Sequence, residues 1–160
     1  MGAADNTTAE RRRHPRPGQP EFVRLFQASA QYRIERIREG VAAREVGELC
    51  ALLDVSKESL IDALGIARAT LSRKVRENRP LAPDEAERVL GVQALIGQVQ
   101  TMVEEAGAAD DFDVPAWLAR WLNTPLAALG GAAPVSYLDT VEGQKYIANL
   151  LATARSGAYA

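Results

Sequence analysis

The stretch Leu60-Ile61-Asp62-Ala63-Leu64-Gly65-Ile66-Ala67-Arg68-Ala69-Thr70-Leu71-Ser72-Arg73-Lys74 decides the fold. Its spacing is that of two short helices joined by a tight turn, the helix-turn-helix arrangement. Leu60, Leu64, Ile66, Leu71 and Val75 are placed to hold the two helices together, and Ala63 is small enough for close approach. Gly65 stands in the turn, where a positive φ is readily adopted without a Cβ. Ser56 predicts an N-cap for the first helix, 57–64, with Glu58 opposing the helix dipole. The second helix is predicted from Arg68 to about Asn78. In DNA-binding modules of this shape the second helix enters the major groove by its N-terminal end. Its outward side chains are then Arg68, Ala69, Thr70, Ser72, Arg73 and Arg76. Arg pairs with guanine O6 and N7, and Ser and Thr reach base edges or phosphates. Lys74 and Arg79 suit phosphate contacts. The same spacing also serves a plain helical bundle with a glycine turn.

Charge bears on that choice. The chain of 160 residues carries a net charge of −2, which by itself argues against a nucleic-acid coat protein. The signs are segregated, however. Lys57, Arg68, Arg73, Lys74, Arg76 and Arg79 face only Glu58, Asp62 and Glu77 in the same stretch. From Glu104 onward, Glu104, Glu105, Asp110, Asp111, Asp113, Asp139 and Glu142 outnumber Arg120, Lys145 and Arg155. A basic middle and an acidic end suggest two different partners. A single helix-turn-helix reads only a short half-site, so binding of double-stranded operator DNA implies a homodimer.

Outward from this segment the pattern is helical throughout. Phe22, Leu25, Phe26, Ala30, Ile34 and Ile37 recur at three- and four-residue steps and predict one leader helix ending at Gly40. Its other faces are polar, so it must pack on the body or on a second chain. A helix follows from about Ala43 to Leu53, with Val46, Leu49, Leu52 and Leu53 inward. Pro83 at a helix N1 position opens a long helix to about Ala106, with Asp84 and Glu85 in its first turn. The leader and this long helix have spare apolar faces that suit a dimer. Gly107 to Asp111 reads as a polar hinge. Asp113 predicts the cap of a short helix holding Trp117, Leu118, Trp121 and Leu122, and Thr140 the cap of a last helix with Val141, Tyr146, Ile147, Leu150 and Leu151. No stretch alternates with period two for long enough to form a strand. The fold class is therefore all-α: a helix-turn-helix bundle followed by a small helical domain. The expected division is a disordered basic tail over 1–20, a DNA-binding and dimerisation domain over 21–107, and a C-terminal domain over 108–160.

The remaining composition excludes several functions. An apolar fraction of 47% is enough for a core, so the body is not intrinsically disordered. The one histidine, His14, lies in the polar tail with Arg11-Arg12-Arg13, so the folded body holds no histidine-based catalytic or metal site. The tail is either solvated or an arm that touches phosphates. Cys50 is the only cysteine, reads as a small core residue, and fits a reducing cytoplasm. No apolar run reaches the ~20 residues of a membrane span. Gly130-Gly131 has neither a preceding strand nor a following Lys and is no phosphate loop. Asp110-Asp111 and Glu104-Glu105 read as solvated carboxylates. The expectation is a cytoplasmic, non-enzymatic protein with no cofactor.

Three features resemble the Xre/MbcA/ParS-type antitoxins. The first is the Leu-Gly-Ile turn with Thr70-Leu71-Ser72-Arg73 and the restart Leu81-Ala82-Pro83-Asp84-Glu85-Ala86-Glu87-Arg88. The second, more specific, is Trp121-Leu122-Asn123-Thr124-Pro125 with Ala128-Leu129-Gly130-Gly131 and Pro134. The third is Leu138-Asp139-Thr140-Val141-Glu142-Gly143 running into a helix that closes on Gly157-Ala158-Tyr159-Ala160. The resemblance covers roughly 43–160. It implies that the C-terminal part binds a toxin, usually a RES-domain toxin that consumes NAD. It also implies that the chain's end approaches the toxin's active-site cleft and that the helix-turn-helix represses the operon's own promoter. The toxin-binding residues so implied are Trp117, Tyr146, Leu150, Arg155, Gly157, Tyr159 and Ala160. Trp117 and Trp121 lie four apart on one helical face. Trp121 reads as core, while Trp117 is open between core and interface. Leu126 and Thr153 depart from the residues common in relatives and bear on which toxin is recognised. Two other functions compete. A ligand-responsive repressor predicts a closed apolar pocket behind the two tryptophans. A structural adaptor predicts no DNA contact through Arg68 and Arg73.

Overall fold

The computed structural model describes residues 20–155. The expectations for the basic tail and for Gly157, Tyr159 and Ala160 lie outside the described residues, apart from Pro20 at the tail's edge. The elements are α1 (Glu21–Gln27), α2 (Ala30–Glu39), α3 (Glu45–Leu53), α4 (Lys57–Ala63), α5 (Arg68–Arg76), α6 (Pro83–Glu105), α7 (Val114–Leu122) and α8 (Val141–Arg155). Short 3-10 turns occur at Ala109–Asp111, Ala127–Leu129 and Pro134–Tyr137. Among the described residues the only β feature is an isolated bridge between Ala42 and Pro80.

The predicted caps form. Ser56 accepts from the Ser59 amide at 3.1 Å, Asp113 from Ala116 at 3.0 Å, and Thr140 from Gly143 at 3.0 Å. At the start of α6, Glu85 accepts from the Ala82 amide at 2.8 Å. Each bond satisfies a helix-end amide that would otherwise be orphaned.

Helix α6 is the axis of the molecule. It buries Val89, Leu90, Val92, Leu95, Ile96 and Val99 on several faces because α1, α2, α7 and α8 all pack on it. Two buried amides stitch α8 in place. Gln98 donates to the Ala148 carbonyl at 2.8 Å, and Gln144 donates to the carbonyls of Arg88 and Leu138, each at 2.9 Å. The buried apolar residues from Leu25 to Leu151 form one cluster, so the helix-turn-helix and the C-terminal elements share a single core.

The leader differs from expectation. It is two helices, broken at Ala28, with the Ser29 hydroxyl accepting from the Tyr32 amide at 3.2 Å to cap α2. Apolar periodicity runs across this break, which conceals it in the sequence. Val23 and Leu25 are the buried residues of α1, rather than Phe22 and Phe26. Helix α1 crosses α6 at Gly97, where a Cβ would overlap the Phe22 carbonyl; only glycine permits that approach. Leu52, expected inward, is exposed on α3.

Candidate nucleic-acid and toxin interfaces

Helices α4 and α5 with the turn between them form the helix-turn-helix. Gly65 has φ +63°, as the turn requires, and its amide donates to the Asp62 carbonyl at 3.1 Å. Helix α5 buries a single residue, Leu71. Arg68, Ala69, Ser72, Arg73 and Arg76 all lie on its exposed side, whereas Thr70 is half-buried. Val75 was expected to hold the two helices together but is 47% exposed. It sits one turn beyond Leu71, the buried residue of α5.

Two of the bases on α5, Arg68 and Lys74, have partners within the chain. Arg68 reaches across the turn to Asp62, with Nη2–Oδ2 at 2.6 Å and Nε–Oδ1 at 3.2 Å. The hydrogen bond and the charge of Asp62 both raise the Arg68 pKa, so the guanidinium is a permanent cation held in a fork. Lys74 donates to Glu85 Oε2 at 2.6 Å, with both side chains largely buried. The same Glu85 oxygen accepts from Ala82, so one carboxylate joins the end of α5 to the start of α6. Lys74 thus points into the molecule. Spacing alone gave no sign of this, because the pair lies eleven residues apart.

The C-terminal elements present a different surface. Helix α7 buries Val114, Leu118 and Leu122, a strict four-residue stripe. Trp117 and Trp121 flank that stripe, half-buried, with ring centroids 6.2 Å apart and planes 12° from parallel. Phe112 extends the row, its ring 6.0 Å from Trp117. Phe112, which precedes the helix and carries no periodic signal in the sequence, is 37% exposed. Asp110, Asp111 and Asp113 are exposed beside this aromatic row. Tyr146 is 48% exposed and leans on Tyr137 at 5.8 Å.

Leu150 does not belong with the exposed contacts. It is 7% exposed and part of the shared core, because α8 turns this face toward the body. Trp121 packs against the core as expected, and Trp117 does so too while keeping part of its surface open. Arg155 ends α8. Gly130 and Gly131 have φ +63° and +89°, so they serve the backbone of the loop, as expected. Among the described residues no group of His, Cys, Asp and Glu could hold a metal ion, and no helix is long and apolar enough to cross a membrane.

Comparison with known proteins places both regions in one family. Residues 33–93 match the antitoxin Xre-like helix-turn-helix domain. Residues 101–157 match the antitoxin Xre/MbcA/ParS C-terminal toxin-binding domain. A protein of Sphingobium sp. (strain YBL2) named "Prs ADP-ribosylating antitoxin" is 45% identical over 145 residues, spanning 89% of this chain and 91% of its own. The chain belongs to the Xre/MbcA/ParS antitoxin family. Two proteins named "Antitoxin Xre" are more distant. That of Yersinia enterocolitica is 22% identical over 127 residues, spanning 79% of this chain and 80% of its own. That of Pseudomonas putida is 25% identical over 125 residues, spanning 76% of this chain and 70% of its own. The chain is therefore an antitoxin of a toxin–antitoxin system, with a helix-turn-helix domain and a domain that binds a cognate toxin. It belongs to an antitoxin family and not to an enzyme family. The first match ends and the second begins within α6, on which elements of both halves pack.

Proposed function

We propose that this antitoxin neutralises an NAD-consuming toxin of the RES type and represses its own operon as a homodimer. The observation that carries the first half is the toxin-binding match, which spans residues 101–157 and so includes α7 and α8. In this reading residues 108–160 form the toxin-binding unit. Trp117 and Tyr146 dock on the toxin's surface, and Arg155, Gly157, Tyr159 and Ala160 approach its active-site cleft. Partly exposed aromatic rings supply large contact area at low entropic cost and are frequent hot spots. Phe112 belongs with them. The name of the Sphingobium relative connects that protein with ADP-ribosylation, a transfer that takes ADP-ribose from NAD, which supports an NAD-consuming partner here.

The DNA-binding half rests on the exposed side of α5, within the DNA-binding and dimerisation unit 21–107. Arg68, Ser72, Arg73 and Arg76 face outward together, and Thr70 borders them. Asp62 braces Arg68 for bidentate pairing with a base. Lys74 contributes by fixing α5 on α6 through Glu85. Residues 1–20, which carry Arg11, Arg12 and Arg13, precede this unit in the sequence.

The test is expression of the neighbouring open reading frame with and without this chain, following growth and cellular NAD. Neutralisation predicts that the neighbour alone depletes NAD and arrests growth, and that co-expression restores both. A harmless neighbour, or arrest with NAD intact, would remove the NAD-consuming partner. A mobility shift of the operon's promoter, lost in Arg73→Ala/Arg76→Ala, tests the repressor half.

A further inference from the structure

Between Thr101 and Pro125 the chain carries Glu104, Glu105, Asp110, Asp111 and Asp113 against one base, Arg120. The aromatic row lies inside this stretch. Phe112 is exposed between Asp111 and Asp113, which are themselves exposed, as is Asp110. Its ring is followed by those of Trp117 and Trp121, each about 6 Å from the last and both half-buried. Asp113 is committed to the cap of α7, where it accepts from the Ala116 amide. Asp110 and Asp111 form no ion pair among the described residues. Three ring surfaces thus stand next to uncompensated carboxylates. The face of an aromatic ring is negative in potential, as a carboxylate is, so both attract a cation. Both also repel phosphate, which keeps this surface off the DNA that α5 faces. A purely aliphatic partner would cover the rings but desolvate the aspartates without a counter-charge.

We infer that the Phe112–Trp117–Trp121 row takes an arginine-bearing basic segment of the cognate toxin, with guanidinium on the open ring faces and paired to Asp110 or Asp111. Arginine fits better than lysine for two reasons. Its planar, weakly hydrated head stacks on aromatic faces, and it meets a carboxylate through two parallel N–H donors. Arg120, exposed on α7, is the one base of the stretch that opposes this field. The inference deepens the docking role given above to Trp117 and Phe112 and rests on it for the partner. It adds the chemistry of the toxin surface, which that role leaves open.

The test is titration of the full-length protein with the purified product of the neighbouring reading frame, by calorimetry at about 50 and about 300 mM NaCl. Wild type is expected to lose at least about tenfold in affinity between the two salts. Asp110→Asn/Asp111→Asn, at exposed positions, is expected to bind about tenfold more weakly at low salt and to depend less on salt. Trp117→Phe keeps a ring and should stay within about threefold of wild type, whereas Trp117→Leu should lose about tenfold or more. Far-UV circular dichroism checks the fold of each variant, and if Trp117→Leu does not fold the aspartate pair decides. Trp117 and Trp121 are the only tryptophans of the chain, so their emission reports on the row itself and should respond to the toxin. Affinity that ignores salt and the aspartates but falls in Trp117→Leu overturns the inference and leaves the docking role of Trp117 standing. Affinity equal in all variants overturns both, as does a wild type that does not bind. Emission that responds to removal of residues 1–19 and not to the toxin would assign the row to the chain's own Arg11-Arg12-Arg13 and overturn the inference as well.

Discussion

The outward side of α5 and the aromatic row of α7 are opposite solutions built on one core. Helix α5 buries Leu71, ties itself to α6 through the Lys74–Glu85 pair, and gives its outward side to solvent and to the cations Arg68, Arg73 and Arg76. Helix α7 anchors through three aliphatic residues and carries its rings beside the anchor, among aspartates. The first surface suits a polyanion, whose phosphates are met by Arg without apolar burial. The second suits a folded protein, where desolvated rings carry the binding free energy. Both are held by α6, so their chemistry is separable while their stability is not.

That comparison can be broken most forcefully at the core. Leu118→Ala removes a fully buried side chain beside α6 and is expected to destabilise the protein by about 3 kcal/mol. Chemical denaturation should show one transition, with toxin and DNA binding lost together. Two separate transitions would contradict a shared core. Next in size is Trp117→Ala, expected to weaken toxin binding by about 2 kcal/mol, roughly thirtyfold, by calorimetry. Promoter affinity should stay unchanged. Arg73→Ala/Arg76→Ala should do the reverse, lowering promoter affinity and reducing the salt slope by about 2, with toxin affinity intact. The smallest effect is expected for Asp62→Ala, which removes an exposed ion pair and should change stability by less than about 1 kcal/mol. A larger loss on thermal melting would show that the Asp62–Arg68 fork holds the turn itself.

Much of this fold was legible in the sequence because caps and breakers are local signals. Ser56, Asp113, Thr140 and Pro83 fix helix starts through atoms three residues away or through a missing N–H. Gly65 marked the turn for the same reason. What escaped depends on distance in space. The Ser29 cap was hidden by apolar residues that keep helical period across the break. Val75 is exposed and Leu150 buried because neither periodicity, which predicted the first, nor the family resemblance, which implied the second, tells which face a neighbour covers. The Lys74–Glu85 pair and the single core both require knowing that α5 and α8 return to α6. The aromatic row was half legible: the four-residue step joined Trp117 to Trp121, but Phe112 precedes the helix and joins them only in three dimensions.

The central claim is that one end of this molecule docks on a toxin and its last residues silence it. The most direct measurement pairs the full chain with a version truncated after Ser156. Each is co-expressed with the neighbouring reading frame and recovered through a tag at the N-terminus. The account predicts that both recover the neighbour, while only the full chain restores growth and cellular NAD. A truncated chain that rescues as well as the full one would contradict the role given to Gly157, Tyr159 and Ala160, and a full chain that recovers no partner would contradict the claim itself.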